Sequence, residues 1–282
     1  MVKASTMSWV LTAILAAFLG EIFKQCFSAM LAQHSTSTRH WLAEQWQQWH
    51  SGAQTESKMP QCYPPAYTTR IMMFDPFVMH VENFITAEER AYLLDFGKQF
   101  LQPSLVTFDN GTEVRDEQRT SSTAFLGKSD PIVECILQRA SELQGYVGLD
   151  QMEDLQITSY AESQQYRPHY DWFAESLVNS MGGTNRASTF FVTLAADCEN
   201  CGTQFPRLNV DWTRQDPRWC EFVECGNLES LTVNAVPGSA VFWRNLRDDH
   251  FGNPKTLHAG LPVPNGSKTG VNIWTREWAP GL

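Results

Sequence analysis

Tyr160–Phe173 reads YAESQQYRPHYDWF and Thr256–Trp274 reads TLHAGLPVPNGSKTGVNIW. On an extended strand, side chains two apart share a face, so the first segment predicts His169 and Asp171 on one side and Tyr170 on the other. One imidazole and one carboxylate then converge on a point. If the fold brings His258 to that point, two nitrogens and one oxygen lie on one face of a metal, a donor set that leaves coordination positions open for chemistry. An H-x-D pair alone is weak, because most such pairs on strands are solvated. The second segment strengthens it: Pro264-Asn265-Gly266-Ser267 is a turn sequence that predicts a hairpin carrying His258 and Lys268 into one cavity. A lysine buried there needs an anionic partner, which a dicarboxylate cosubstrate would supply.

Around these segments the chain from Leu155 onward breaks into short apolar runs separated by turns: LQITSYA, TFFVTLAAD, SLTVNAV, SAVFW, KTLHAGLPV and TGVNIWTREW. The runs predict an α+β, mainly β fold, an antiparallel double-sheet jelly roll (double-stranded β-helix) with supporting N-terminal helices. Phe74–Phe84 looks extended, and Thr86-Ala87-Glu88-Glu89 predicts a capping box opening a helix to about Phe100. Asp130-Pro131 opens a second helix ending near Gly145, and Leu105–Leu126 predicts strands around Asn110-Gly111. The two helices are expected to brace the outer face of a sheet, leaving the barrel mouth to gather ligands from separate strands.

The 282 residues carry a net charge of −10. That charge, with no basic run, argues against a nucleic-acid partner. Residues 1–31 combine an early lysine with an apolar stretch and predict a signal peptide or a membrane anchor, hence membrane association through the N-terminus. Residues 32–70 read as a polar linker with a short helix, 71–148 as a helical and strand support region, and 149–282 as the jelly roll. Cys198, Cys201, Cys220 and Cys225 suit either a zinc site or, in an oxidising compartment, two disulfides; disulfides are the expectation. Cys26, Cys62 and Cys135 are expected to be buried or unpaired thiols. The sequons at Asn110 and Asn265 fit glycosylation in a lumenal protein, and the compartment expected is the endoplasmic reticulum lumen or membrane.

The blocks RTSSTAFL (119–126), YAESQQYRPHYDWF, GTQFPRL (202–208), PGSAVFW (237–243) and HAGLPVPNGSK (258–268) together resemble the prolyl 4-hydroxylase-type 2-oxoglutarate/Fe(II) dioxygenases. The resemblance runs from about Phe74 to Trp278 and implies that His169, Asp171 and His258 hold Fe(II). It implies further that Lys268 pairs with the distal carboxylate of 2-oxoglutarate, that Tyr160 and Thr203 donate hydrogen bonds to it, and that Trp274 walls the pocket. Dioxygen is then a substrate, with ascorbate an optional reductant. Where the family commonly reads Y-x-P-G-Q this chain has Tyr160-Ala161-Glu162-Ser163-Gln164, and Cys201 stands where glycine is common, so the loops differ. A carboxylate as third ligand favours hydroxylation over halogenation. The expected activity is hydroxylation of an unactivated C–H bond, on peptidyl proline first, with oxidation of a small-molecule natural product as the alternative. A non-catalytic jelly-roll binding module is the third reading, disfavoured by the complete ligand set.

Overall fold

The structure is a computed structural model that describes residues 62, 65–107, 111–178 and 182–278. The expected signal peptide or anchor, and the linker up to residue 61, lie outside the described residues. From Pro60 on, the chain forms one compact unit.

Fourteen strands are described: β1 (Thr68–Phe74), β2 (Phe77–Glu82), β3 (Gln102–Pro103), β4 (Val106–Thr107), β5 (Glu113–Val114), β6 (Ser122–Leu126), β7 (Leu155–Tyr160), β8 (Tyr166–His169), β9 (Thr184–Ala196), β10 (Thr203–Phe205), β11 (Leu231–Val233), β12 (Ala240–Arg244), β13 (His258–Gly260) and β14 (Lys268–Trp278). The major sheet runs β1-β2-β12-β9-β14-β7-β6-β3, and a minor sheet runs β11-β10-β13-β8. The pairings within both sheets are antiparallel. Strands from the expected support region thus belong to the same sheet as the barrel strands, and β1 begins inside the stretch read as linker.

The period-2 pattern of the central strands explains the layering. On β7, β9, β12 and β14 one face presents Leu155, Ile157, Phe190, Val192, Phe242, Val271 and Ile273, all buried in one apolar cluster. That cluster also holds Leu93 from α1 (Ala87–Lys98) and Ile132, Ile136 and Leu137 from α2 (Pro131–Leu143). Each such side chain contributes roughly 2 kcal/mol of burial. The opposite face carries Gln156, Tyr160, Phe191, Trp243, Asn272 and Trp274, which line a cavity. A strand buried on both faces ordinarily reads as continuously apolar. Here the inner face is polar and aromatic because it faces a site.

Local chemistry fixes the helices. Thr86 and Glu89 form the reciprocal capping box at the start of α1, and Asp130 accepts from Ile132 and Val133 at the start of α2. Glu89 also receives two hydrogen bonds, of 3.0 and 2.7 Å, from Arg139 of α2, so one buried carboxylate ties both helices.

Two expectations are corrected. β13 and β14 do not form a hairpin: β13 lies in the minor sheet and β14 in the major one, so the Pro264–Ser267 turn is a crossing between sheets. Gly266 sits in it at φ 69°, where a Cβ would meet Asp197, and the Ser267 amide donates to the Asp197 carboxylate. The cysteines pair as Cys62–Cys135, Cys198–Cys201 and Cys220–Cys225. Cys62 and Cys135 are therefore a bridge and not free thiols, a pairing that their separation of 73 residues concealed.

Candidate active site

His169 ends β8 and His258 opens β13, and the antiparallel register places the two opposite each other. Their ring centroids lie 4.2 Å apart. Asp171, two residues past His169, sets its Oδ1 3.8 Å from His169 Nε2 and its Oδ2 3.7 Å from His258 Nε2. One donor atom from each of the three residues falls within 4.8 Å of the others.

The histidine tautomers follow from their second nitrogens. His169 Nδ1 is 2.9 Å from the Arg167 carbonyl, and His258 Nδ1 is 2.9 Å from the Thr256 carbonyl. A carbonyl only accepts, so both Nδ1 atoms carry a hydrogen and both Nε2 atoms are left to face Asp171. Burial, reinforced by His258, holds His169 well below the usual imidazole range. For Asp171 burial pushes upward, but His258, His169, Arg186 and a hydrogen bond from Thr189 outweigh it and bring the carboxyl to about 2. Two Nε2 atoms and a carboxylate thus face one another across a buried point, and imidazole plus carboxylate donors suit a divalent transition metal.

These residues line a cavity of about 830 Å³ together with Tyr160, Thr203 and Trp274. Tyr160 is opposite Lys268 in the β7–β14 register, and burial raises its phenol to about 12, so it remains a hydrogen-bond donor. Thr203 opens β10, opposite Gly260. Lys268 does not itself reach the cavity wall. Its ammonium lies behind Tyr160, 5.0 Å from the ring centroid, and donates to the carbonyls of Cys201 and Gly202. It is 1% exposed, has no ion-pair partner among the described residues, and is brought to about 7 by burial. A buried cation without a counterion, one side chain away from the cavity, fits an anionic ligand at Tyr160 and Thr203.

Other residues at the site were not anticipated from sequence. Arg186 holds Glu153 through two 2.8 Å hydrogen bonds and lies 3.6 Å over the Trp274 ring. Thr189, at the centre of β9, donates to Asp171 Oδ2 at 2.7 Å. A charged or hydroxyl residue on the inner side of an otherwise apolar strand was the available signal, but it has meaning only once the register is known.

A profile described as the 2OG-Fe(II) oxygenase superfamily matches residues 155–276. The chain is 31% identical over 208 residues to Probable prolyl 4-hydroxylase 3 of Arabidopsis thaliana, covering 73% of this chain and 71% of that protein. To Prolyl 4-hydroxylase 5 of the same plant it is also 31% identical over 208 residues, covering 72% and 69%. Among solved structures, the viral collagen prolyl hydroxylase of Paramecium Bursaria Chlorella virus-1, in its 2-oxoglutarate complex, superposes with a TM-score of 0.50 at 22% identity. That match covers 71% of this chain and 95% of the viral one, and it supports the jelly-roll fold. With fold, donor set and relatives in agreement, the chain belongs to the prolyl 4-hydroxylase-type 2-oxoglutarate/Fe(II)-dependent dioxygenases.

Proposed function

We propose that this enzyme hydroxylates proline within a peptide, with His169, Asp171 and His258 holding Fe(II). Lys268 neutralises the far carboxylate of 2-oxoglutarate, Tyr160 and Thr203 donate hydrogen bonds to it, and Trp274 closes one wall. The metal and cosubstrate, when bound, supply an oxidant able to break an unactivated C–H bond, with succinate and carbon dioxide as by-products. The protein's part is orientation. The carbonyls behind each histidine keep Nε2 available, and the low carboxyl value of Asp171 keeps it ionised at neutral pH. Tyr160 and Thr203 line the same cavity as the metal ligands and would hold one carboxylate of the diacid, which sets its direction.

The observation that carries the peptide reading is the lining of the cavity. It includes Phe100, Leu105 and Phe125, which are 46%, 44% and 60% exposed. It shares Trp172, Phe173 and Ala174 with a second depression of about 480 Å³. An aromatic lining that reaches the surface suits an extended, proline-rich chain, whereas a small metabolite would suit an enclosed pocket. The Arabidopsis relatives are prolyl 4-hydroxylases, which supports the same substrate class. The test is 2-oxoglutarate-dependent hydroxyproline formation in a panel of proline-rich peptides beside free proline and small metabolites. Turnover of small molecules alone would move the assignment to the alternative.

We also propose the endoplasmic reticulum as the compartment, since three disulfides require oxidising conditions to persist. A glycosidase-sensitive shift in the mobility of the full chain is expected, and its absence together with reduced cysteines in cells would place the protein elsewhere.

A further inference from the structure

Asp171 is the end of a buried chain of hydrogen bonds whose direction is fixed throughout. Trp243 Nε1 donates to Asn245 Oδ1 at 2.7 Å, Asn245 Nδ2 donates to Thr189 Oγ1 at 2.8 Å, and Thr189 Oγ1 donates to Asp171 Oδ2 at 2.7 Å. An indole N–H can only donate, so the Asn245 atom facing it must be the oxygen, and the amide nitrogen must face Thr189. Thr189 then accepts on that side. Its single proton has one destination, the carboxylate. Asn245 and Thr189 are 0% exposed and Trp243 is 1% exposed, so water does not compete for these bonds. Trp243 and Thr189 are also opposite each other in the β12–β9 register, which holds these two members of the chain on one sheet.

We propose that Trp243 and Asn245 act through Thr189 as positioning residues that keep Asp171 Oδ2 occupied and leave Oδ1 for the metal. A carboxylate free to turn would present Oδ1 to the metal only part of the time, which weakens the hold on the ion. The chain of bonds therefore fixes the carboxylate in its ligating orientation. This inference rests on the assignment of His169, Asp171 and His258 as metal ligands.

The test is Mn(II) binding to the full metal-free protein, read from the free-ion electron paramagnetic resonance signal with no turnover involved. Thr189→Ser keeps the hydroxyl and is expected to bind like the native chain. Thr189→Val keeps the shape and loses the proton. Asn245→Asp still accepts from Trp243 but draws the Thr189 proton to itself, turning it from Asp171. Both are expected to bind Mn(II) about 10- to 100-fold more weakly, the usual cost of losing an outer partner of a ligand. A merely structural role would lower the melting temperature of the metal-free variants and leave Mn(II) affinity alone, and that result overturns the proposal. Should Thr189→Val fail to fold, Asn245→Asp compared with Thr189→Ser decides the question, and the reverse holds equally. No binding by the native chain would overturn the ligand assignment, whereas equal binding by all four proteins would overturn the positioning role alone.

Discussion

Single atoms decide what this site can bind. The carbonyls of Arg167 and Thr256 hold the two Nδ1 atoms and leave both Nε2 atoms facing Asp171. His169→Ala and His258→Ala are each expected to abolish stoichiometric Mn(II) binding and iron-dependent succinate release; full activity in either variant contradicts the assignment. Lys268 gives a pH dependence with a definite sign. Burial brings its ammonium to about 7, so above that pH the cosubstrate-free protein holds a neutral amine. A bound carboxylate favours the charged form, so binding takes up a proton above pH 7, and affinity falls roughly tenfold per pH unit there. The KM for 2-oxoglutarate is expected to rise over that range in the native chain and to stay flat in Lys268→Arg, whose charge is permanent. A native KM indifferent to pH would remove Lys268 from the cosubstrate site. The convergence of His169, Asp171 and His258 was legible in sequence through the H-x-D spacing and the family resemblance. Thr189 and Asn245 were not, because a threonine or asparagine near a strand is ordinary until the register shows what it touches.

Among the elements, the helices were the most readable, since Thr86-Ala87-Glu88-Glu89 and Asp130-Pro131 state their own starts. The second duty of Glu89 was invisible, because nothing in a capping box says that an arginine on another helix will share its carboxylate. Glu89→Ala would leave Arg139 buried and unpaired, and a loss of about 3–5 kcal/mol is expected in denaturant unfolding. A loss within about 0.5 kcal/mol, the usual range for surface changes, would mean that the pair contributes nothing. The Pro264–Ser267 turn was legible as a turn and misread as a hairpin. Turn chemistry fixes a reversal of the chain, and it does not fix which sheet receives the next strand. The lysine and the histidine come near one site from opposite sheets. Cysteine pairing belongs to this scale as well: with six of the seven cysteines bridged, titration of unreduced, denatured protein should find no more than one free thiol. Stoichiometric zinc with four free thiols would overturn the two local bridges.

For the molecule as a whole, the sequence showed a jelly roll through its short runs and turns, and the structure adds why the runs are not uniformly apolar. The major sheet buries one face under α1 and α2 and turns the other toward a cavity, so the alternation encodes site against core instead of solvent against core. The lining that Phe125, Trp172 and Phe173 give the cavity could not be read from sequence, since it depends on which separated aromatics the fold brings together. The most direct measurement gives the enzyme Fe(II), 2-oxoglutarate and a proline-rich peptide, and counts succinate against hydroxyproline. One hydroxyproline is expected for each peptide-dependent succinate, and neither product from Asp171→Ala. Hydroxyproline formation undiminished in Asp171→Ala, or succinate release that no proline peptide stimulates, would contradict the assignment.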